Sequence, residues 1–349
     1  MHMKESQKKI IRNFVPVFVV MFMFFIGDTL HGAENNYNVG LDHVETLIQP
    51  ENIKMHMMVW YPTSDITQMT KVGPFKINVA RNAEIEQGNR SLVIISHGDG
   101  GSHLGHRDTA HHLAKRGFIV VTILHPHNNY TDNAAEGTQQ NWVDRPRHVS
   151  KAIDTLLKHG KFRAIINNNS IAVVGYSAGA YTALASAGGI ADPSNIRSHC
   201  QNNTDDLRFC RIYWMYSKTK KEKENTVIKN AGDKRIKAIV LMAPIGVLFK
   251  DKESLSNVKI PVRIYRAQKD EILRYPYHAA FIKENLPLPP EYIVVKNAGH
   301  HSFMSPIPDY MKSKAGEIGI DPEGFDRNDF HKRMNQEIAD FLLQTLRTK

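Results

Sequence analysis

The pentapeptide Gly175-Tyr176-Ser177-Ala178-Gly179 follows a short β-branched run, Ile171-Ala172-Val173-Val174, and leads directly into Ala180-Tyr181-Thr182-Ala183-Leu184-Ala185, which reads as helix. A Gly-x-Ser-x-Gly on its own is a weak signal, since a chain of 349 residues matches it by chance about once in fifteen. Strand before and helix behind turn it into the context of a nucleophile elbow. Such a turn forces its serine into a strained conformation, and the flanking glycines remove side chains that would collide. The hydroxyl is left at the tip of a sheet, beside a helix N-terminus.

A serine hydroxyl is a poor nucleophile at neutral pH and needs a base, which in turn needs an orienting acid. In a strand–elbow–helix architecture the order is Ser, then Asp or Glu, then His. Residues 260–266 read as a strand with Asp270 in the loop after it, and residues 292–295 read as the next strand, followed by Asn297-Ala298-Gly299-His300. Both candidates sit just past the carboxyl end of a β-run, where open α/β sheets place their sites. Glu271 rivals Asp270 and His301 rivals His300; the bland readings are a turn aspartate and a surface-loop histidine.

An oxyanion needs donors. The apolar run 91–96 ends in His97-Gly98-Asp99-Gly100-Gly101, a loop of the His-Gly-Gly-Gly type that lends a backbone N–H. The expected hole is made by the amides of Asp99 and Ala178, with His97 bracing the loop.

Together these pieces resemble an α/β-hydrolase of the bacterial predicted dienelactone hydrolase group, related to platelet-activating-factor acetylhydrolases. The resemblance runs through Val59-Trp60-Tyr61-Pro62, Ser96-His97-Gly98-Asp99-Gly100-Gly101, Asp144-Arg145-Pro146, the elbow, Arg266-Ala267-Gln268-Lys269-Asp270, Ala298-Gly299-His300 and Gly324-Phe325-Asp326-Arg327 with Phe330-His331. It implies a mostly parallel central sheet with helices on both faces and a lid inserted at 187–235. It implies a serine carboxylic-ester hydrolase working through Ser177, Asp270 and His300, with a small or short-acyl ester as substrate and no metal or organic cofactor. A phospholipase- or acetylhydrolase-type lipid esterase is the alternative, and a binding protein that kept the fold without turnover is the other class. One departure is plain: Asp99 stands where the group usually carries an uncharged residue.

Residues 1–33 do not read as part of the domain that occupies 34–349. Lys8, Lys9 and Arg12 precede an apolar run over 14–26, and Leu30-His31-Gly32-Ala33 follows, the layout of a signal peptide. The expectation is an exported protein, periplasmic or secreted. His31 stands where a small residue is preferred, which leaves an uncleaved anchor as the alternative. Cys200 and Cys210 are the only cysteines, ten residues apart, and in an exported protein they can pair. The net charge is +10; removing residues 1–33 takes away four basic and two acidic residues and leaves +8. Basic residues concentrate over 218–223, a solvated face or a peripheral contact with anionic lipid or polymer. No stretch interleaves aromatics and cations as a nucleic-acid binder does. His125 and His127 lack a carboxylate at ligand spacing, which speaks against a metal there.

The remaining pattern predicts strands over 55–61, 118–124 and 238–242, a hairpin within 63–88, and helices over 108–115, 143–158 and 337–346. Residues 187–235 carry the weakest core signal, consistent with a lid or with a plain surface loop.

Overall fold

A computed structural model describes residues 36–217 and 227–346. The segment 1–33, read as a signal peptide, and the basic run 218–223 lie outside the described residues.

Ten strands make up the sheet: β1 (Asn38–Ile48), β2 (Ile53–Thr63), β3 (Gln68–Val72), β4 (Phe75–Arg81), β5 (Arg90–Ser96), β6 (Ile119–Leu124), β7 (Ile166–Tyr176), β8 (Ile236–Met242), β9 (Val262–Ala267) and β10 (Glu291–Val295). Their order across the sheet is β10-β9-β8-β7-β5-β6-β2-β1-β4-β3. The six strands from β10 to β6 pair in parallel. β2 is antiparallel to both β6 and β1. The hairpin expected within 63–88 is β3–β4, and it forms the far edge.

Parallel strands are covered on both faces, so they read as continuous apolar runs. In β7, Val173 packs in one layer while Ala172 and Val174 pack in the other. Helix α1 (Arg107–Lys115) and the long α8 (Arg327–Leu346) cover one face through Ala110, Leu113, Met334 and Ile338. On the other face lie α2 (Gln139–Lys158), α3 (Ala178–Ser186) and α6 (His278–Asn285), with Val149, Ile153, Leu184 and Ile282.

Helix α2 starts earlier than its apolar period suggested. Thr138 accepts the N–H of Asn141 at 3.2 Å and caps it, satisfying one of the free donors at a helix start. Pro146 lies inside this helix and supplies no N–H to the carbonyl of Trp142 four residues back. The Tyr181 hydroxyl donates to that carbonyl at 2.7 Å instead, which ties α2 to the elbow helix α3.

The weak-core stretch after α3 contains two short helices, α4 (Ser194–Asn202) and α5 (Leu207–Ser217). The Cys200–Cys210 disulfide joins them. A bridge between Ala191 and Ile228 closes the base of the insertion. Between the two helices, buried Asp206 accepts from His199 Nε2 at 2.8 Å and from His278 Nε2 on α6 at 3.0 Å. Each ring takes a donor at its other nitrogen, from Asn203 and from the N–H of Gly246, so each imidazole donates to the shared carboxylate through Nε2. Closing a loop of this size contributes roughly 2–3 kcal/mol. Reduction is therefore expected to raise protease cutting within 194–217 while the main unfolding transition moves little. Simultaneous loss of the insertion and the sheet on reduction would contradict this.

Candidate active site

β7 delivers the chain to Ser177 and α3 carries it away. Ser177 has φ 55° and ψ −117°, left-handed backbone that costs a non-glycine residue about 1–3 kcal/mol. Its N–H donates to the carbonyl of Met242, the last residue of β8, at 3.0 Å. The two motif glycines are required by close approach. A Cβ on Gly179 would lie 1.9 Å from the backbone oxygen of Ser96, and one on Gly175 would lie 2.1 Å from that of Gly179.

The loop after β9 brings in Asp270, and a short 3-10 turn after β10 brings in His300. His300 Nε2 is 3.1 Å from Ser177 Oγ, and His300 Nδ1 is 2.8 Å from Asp270 Oδ2. Asp270 Oδ1 is held by the N–H groups of Ile272 and Leu273 at 3.0 and 2.7 Å. The carboxylate is thus oriented by backbone donors and keeps one oxygen for the imidazole. Glu271 faces Arg208 at 3.4 Å, and His301 Nδ1 lies 3.2 Å from the Tyr176 hydroxyl. Burial, and then the neighbouring His300, push His301 down to about 4.

The turn that holds His300 is tied to the helices beneath it. His331 on α8 faces the carbonyl of Ser302 at 2.9 Å with one nitrogen and Asp108 on α1 at 2.5 Å with the other. Asp108 is also reached by Ser305 and by Asn335. Burial works against the Asp108 anion, yet His331 and these hydrogen bonds hold its carboxyl below the usual carboxylate range.

The loop after β5 forms the facing wall. A cavity of about 220 Å³ is lined by Ser177, His300, Asp99, Gly100, Met304 and, from α5, Ile212. Asp99 is exposed at its mouth, where Asn141 Nδ2 donates to Oδ1 at 3.4 Å. His97 braces the loop from below. Its Nδ1–H donates to the carbonyl of Gly98 at 2.6 Å, and its Nε2 accepts the N–H of His125 at 3.3 Å.

Arg145 was legible only as part of a motif; its place is the floor of this loop. It is fully buried. Its guanidinium donates to the carbonyl of His97, to Asn128, to Ser96 Oγ at 3.3 Å and to Thr182 Oγ1 at 2.9 Å. Among the described residues no carboxylate pairs with it directly. Burial pushes it down to about 10 against the pull of Asp99, so it stays cationic at neutral pH.

The same floor holds a run of neutral histidines. Burial, then Arg145, hold His97 and His125 well below the usual imidazole value and push His148 to about 3. Burial pushes His106 to about 4. Each stays neutral in the fold, while in the unfolded chain each takes up a proton near pH 6.5. Falling pH therefore favours the unfolded state, beginning at about 6.5 and continuing toward the folded values. Four such groups cost roughly 4 kcal/mol between pH 6.5 and 5.5. Urea midpoints measured at these two pH values should differ accordingly; equal midpoints would overturn the assignment.

Comparison with known proteins gives a likeness in three dimensions. No protein-family model matches the sequence, and no curated protein matches it. Among solved structures, a ferulic acid esterase from Streptomyces cinnamoneus superposes with a TM-score of 0.62 at 14% identity, covering 91% of this chain and 92% of that one. The chain has the α/β-hydrolase fold. In this hydrolase fold Ser177, Asp270 and His300 all stand at the carboxyl end of the parallel strands, as the order of the three along the chain leads one to expect.

Proposed function

We propose that the protein is a carboxylic-ester hydrolase that works through an acyl-enzyme on Ser177. The observation that carries this reading is the continuous chain of hydrogen bonds from Ser177 through His300 to Asp270, opening onto a cavity. Ser177 Oγ attacks the ester carbonyl while His300 Nε2 takes the hydroxyl proton. The amides of Asp99 and Ala178 face the developing oxyanion, a role worth about 3 kcal/mol per donor. The tetrahedral adduct collapses, the C–O bond to the alcohol breaks, and His300 returns its proton to that oxygen. Water repeats the sequence on the acyl-enzyme and releases the acid. Asp270 keeps the imidazole in the tautomer with its free lone pair toward Ser177.

A cavity of about 220 Å³ suits a short acyl group. The resemblance to the predicted dienelactone hydrolase group, and the esterase title of the structural neighbour, point in the same direction. A second reading, a lipid ester, is favoured by α5, the helix of the proposed lid. Leu207, Ile212 and Met215 are exposed there, and Ile212 reaches the cavity. The disulfide across that lid supports an oxidising, exported setting.

A fluorophosphonate probe should label Ser177 alone, and p-nitrophenyl esters of rising chain length should be cleaved fastest at short acyl lengths. An unlabelled protein would sink the hydrolase reading. A maximum at long chains would transfer the choice to lipid.

A further inference from the structure

Away from the cavity, strands β1 and β2 bring three donor atoms together with no apolar reason to do so. His43 and Glu45 alternate on one face of β1, and His56 lies directly opposite Glu45 on β2. His56 Nδ1 is 3.3 Å from His43 Nε2 and 3.0 Å from Glu45 Oε1. All three donor atoms lie within 4.8 Å of one another.

Protons alone satisfy this cluster poorly. If His56 carries its proton on Nδ1, it can give it to the carboxylate or to the His43 lone pair, and one contact stays empty. If His43 Nε2 carries the proton instead, the Glu45 oxygen faces a bare lone pair on His56. A cation resolves all three. Two nitrogens about 2.05 Å from a tetrahedral zinc ion lie about 3.3 Å apart, which is the His43–His56 separation. The mixed imidazole and carboxylate set is the one that borderline divalent ions prefer.

We propose that His43, Glu45 and His56 form a binding site for a divalent transition metal of the zinc class, with three protein ligands and water in the remaining position. The carboxylate of Glu45 turns Oε1 to the cluster. Lys54 Nζ sits on the other oxygen, Oε2, at 3.1 Å, leaving Oε1 to the cluster. The neighbouring His103 has a buried Nδ1 with no hydrogen-bond partner. The site lies beside the carboxyl end of β6, since His56 pairs with Leu124, and thus at the same edge of the sheet as the loop after β5. It involves none of Ser177, Asp270 or His300.

The test is titration of the full disulfide-bonded chain with zinc chloride, followed by calorimetry. One ion per chain at micromolar affinity is the expected result, weakened at least tenfold in His56→Ala and in His43→Ala. Copper(II) in place of zinc should give an electron paramagnetic resonance spectrum with coupling to two nitrogens, reduced to one in His43→Ala. His111→Ala, on α1 and outside the cluster, should bind as the parent does. Circular dichroism identical to the parent's secures the comparison; should His56→Ala unfold, the exposed His43→Ala carries the test alone. No zinc bound at 100 µM, or unchanged affinity in His43→Ala, overturns the proposal. Cleavage of p-nitrophenyl acetate by metal-free protein reports on the Ser177 reading separately.

Discussion

Ser177→Ala and His300→Ala are each expected to lower ester turnover by on the order of 10⁴–10⁶-fold, with circular dichroism and melting temperature close to those of the parent chain. In the proposed mechanism the two side chains act through one hydrogen bond, 3.1 Å long. Removing either removes the same step, so the double variant should be no worse than the poorer single one. Asp270→Asn should cost less, because an amide still fills the place but favours the wrong tautomer. His301→Ala provides the contrast. Its ring meets Tyr176 rather than Ser177, and turnover should fall less than tenfold. A dead His301→Ala beside an active His300→Ala would reverse the assignment of the base. Initial rates with p-nitrophenyl acetate decide the matter.

The second large effect concerns a residue without a side chain. In Gly179→Ala the new Cβ would lie 1.9 Å from the backbone oxygen of Ser96. Neither partner can rotate away, because one belongs to the end of β5 and the other to the first turn of α3. The expected outcome is either loss of soluble protein or an elbow displaced enough to cost more than 100-fold in rate, since misplacement by about 1 Å is worth that much. Gly175→Ala should behave similarly. Gly160→Ala, whose Cβ meets nothing within 4 Å, should be neutral in stability and rate. A Gly179→Ala variant with parental rate and melting temperature would show that the β5–α3 contact is looser than described.

What the sequence revealed followed from how local its causes were. The parallel strands β5, β6, β7 and β8 are legible because both faces are buried, so each is a continuous apolar run. The elbow is legible because its backbone demands glycine at two places. Strand β1 was missed: Val39, Gly40 and Leu41 are buried together, and Asp42, His43, Glu45 and Thr46 then break the run, so it shows neither a continuous apolar run nor a strict alternation. Helices α4 and α5 were hidden because each gives the core only a few residues, Ile196 and Cys200 from one and Phe209 and Cys210 from the other, among many polar ones, and the disulfide and the shared buried carboxylate complete their packing. Arg145 stood out as part of a motif, yet its partners are a carbonyl, two hydroxyls and an amide from three separate segments, the end of β5, the loop after β6 and α3, and no spacing along the chain announces those. Asp108 and His331 are more than two hundred residues apart, and only the packing of α1 against α8 makes them neighbours.

The Cys200–Cys210 bond lies entirely within one segment of this chain. Its sulfurs belong to α4 and α5, and neither helix supplies a strand, the elbow, Asp270 or His300. Breaking it would cut no link within the sheet and none among Ser177, Asp270 and His300. The redox state of the surroundings would therefore act on the wall that contains Ile212.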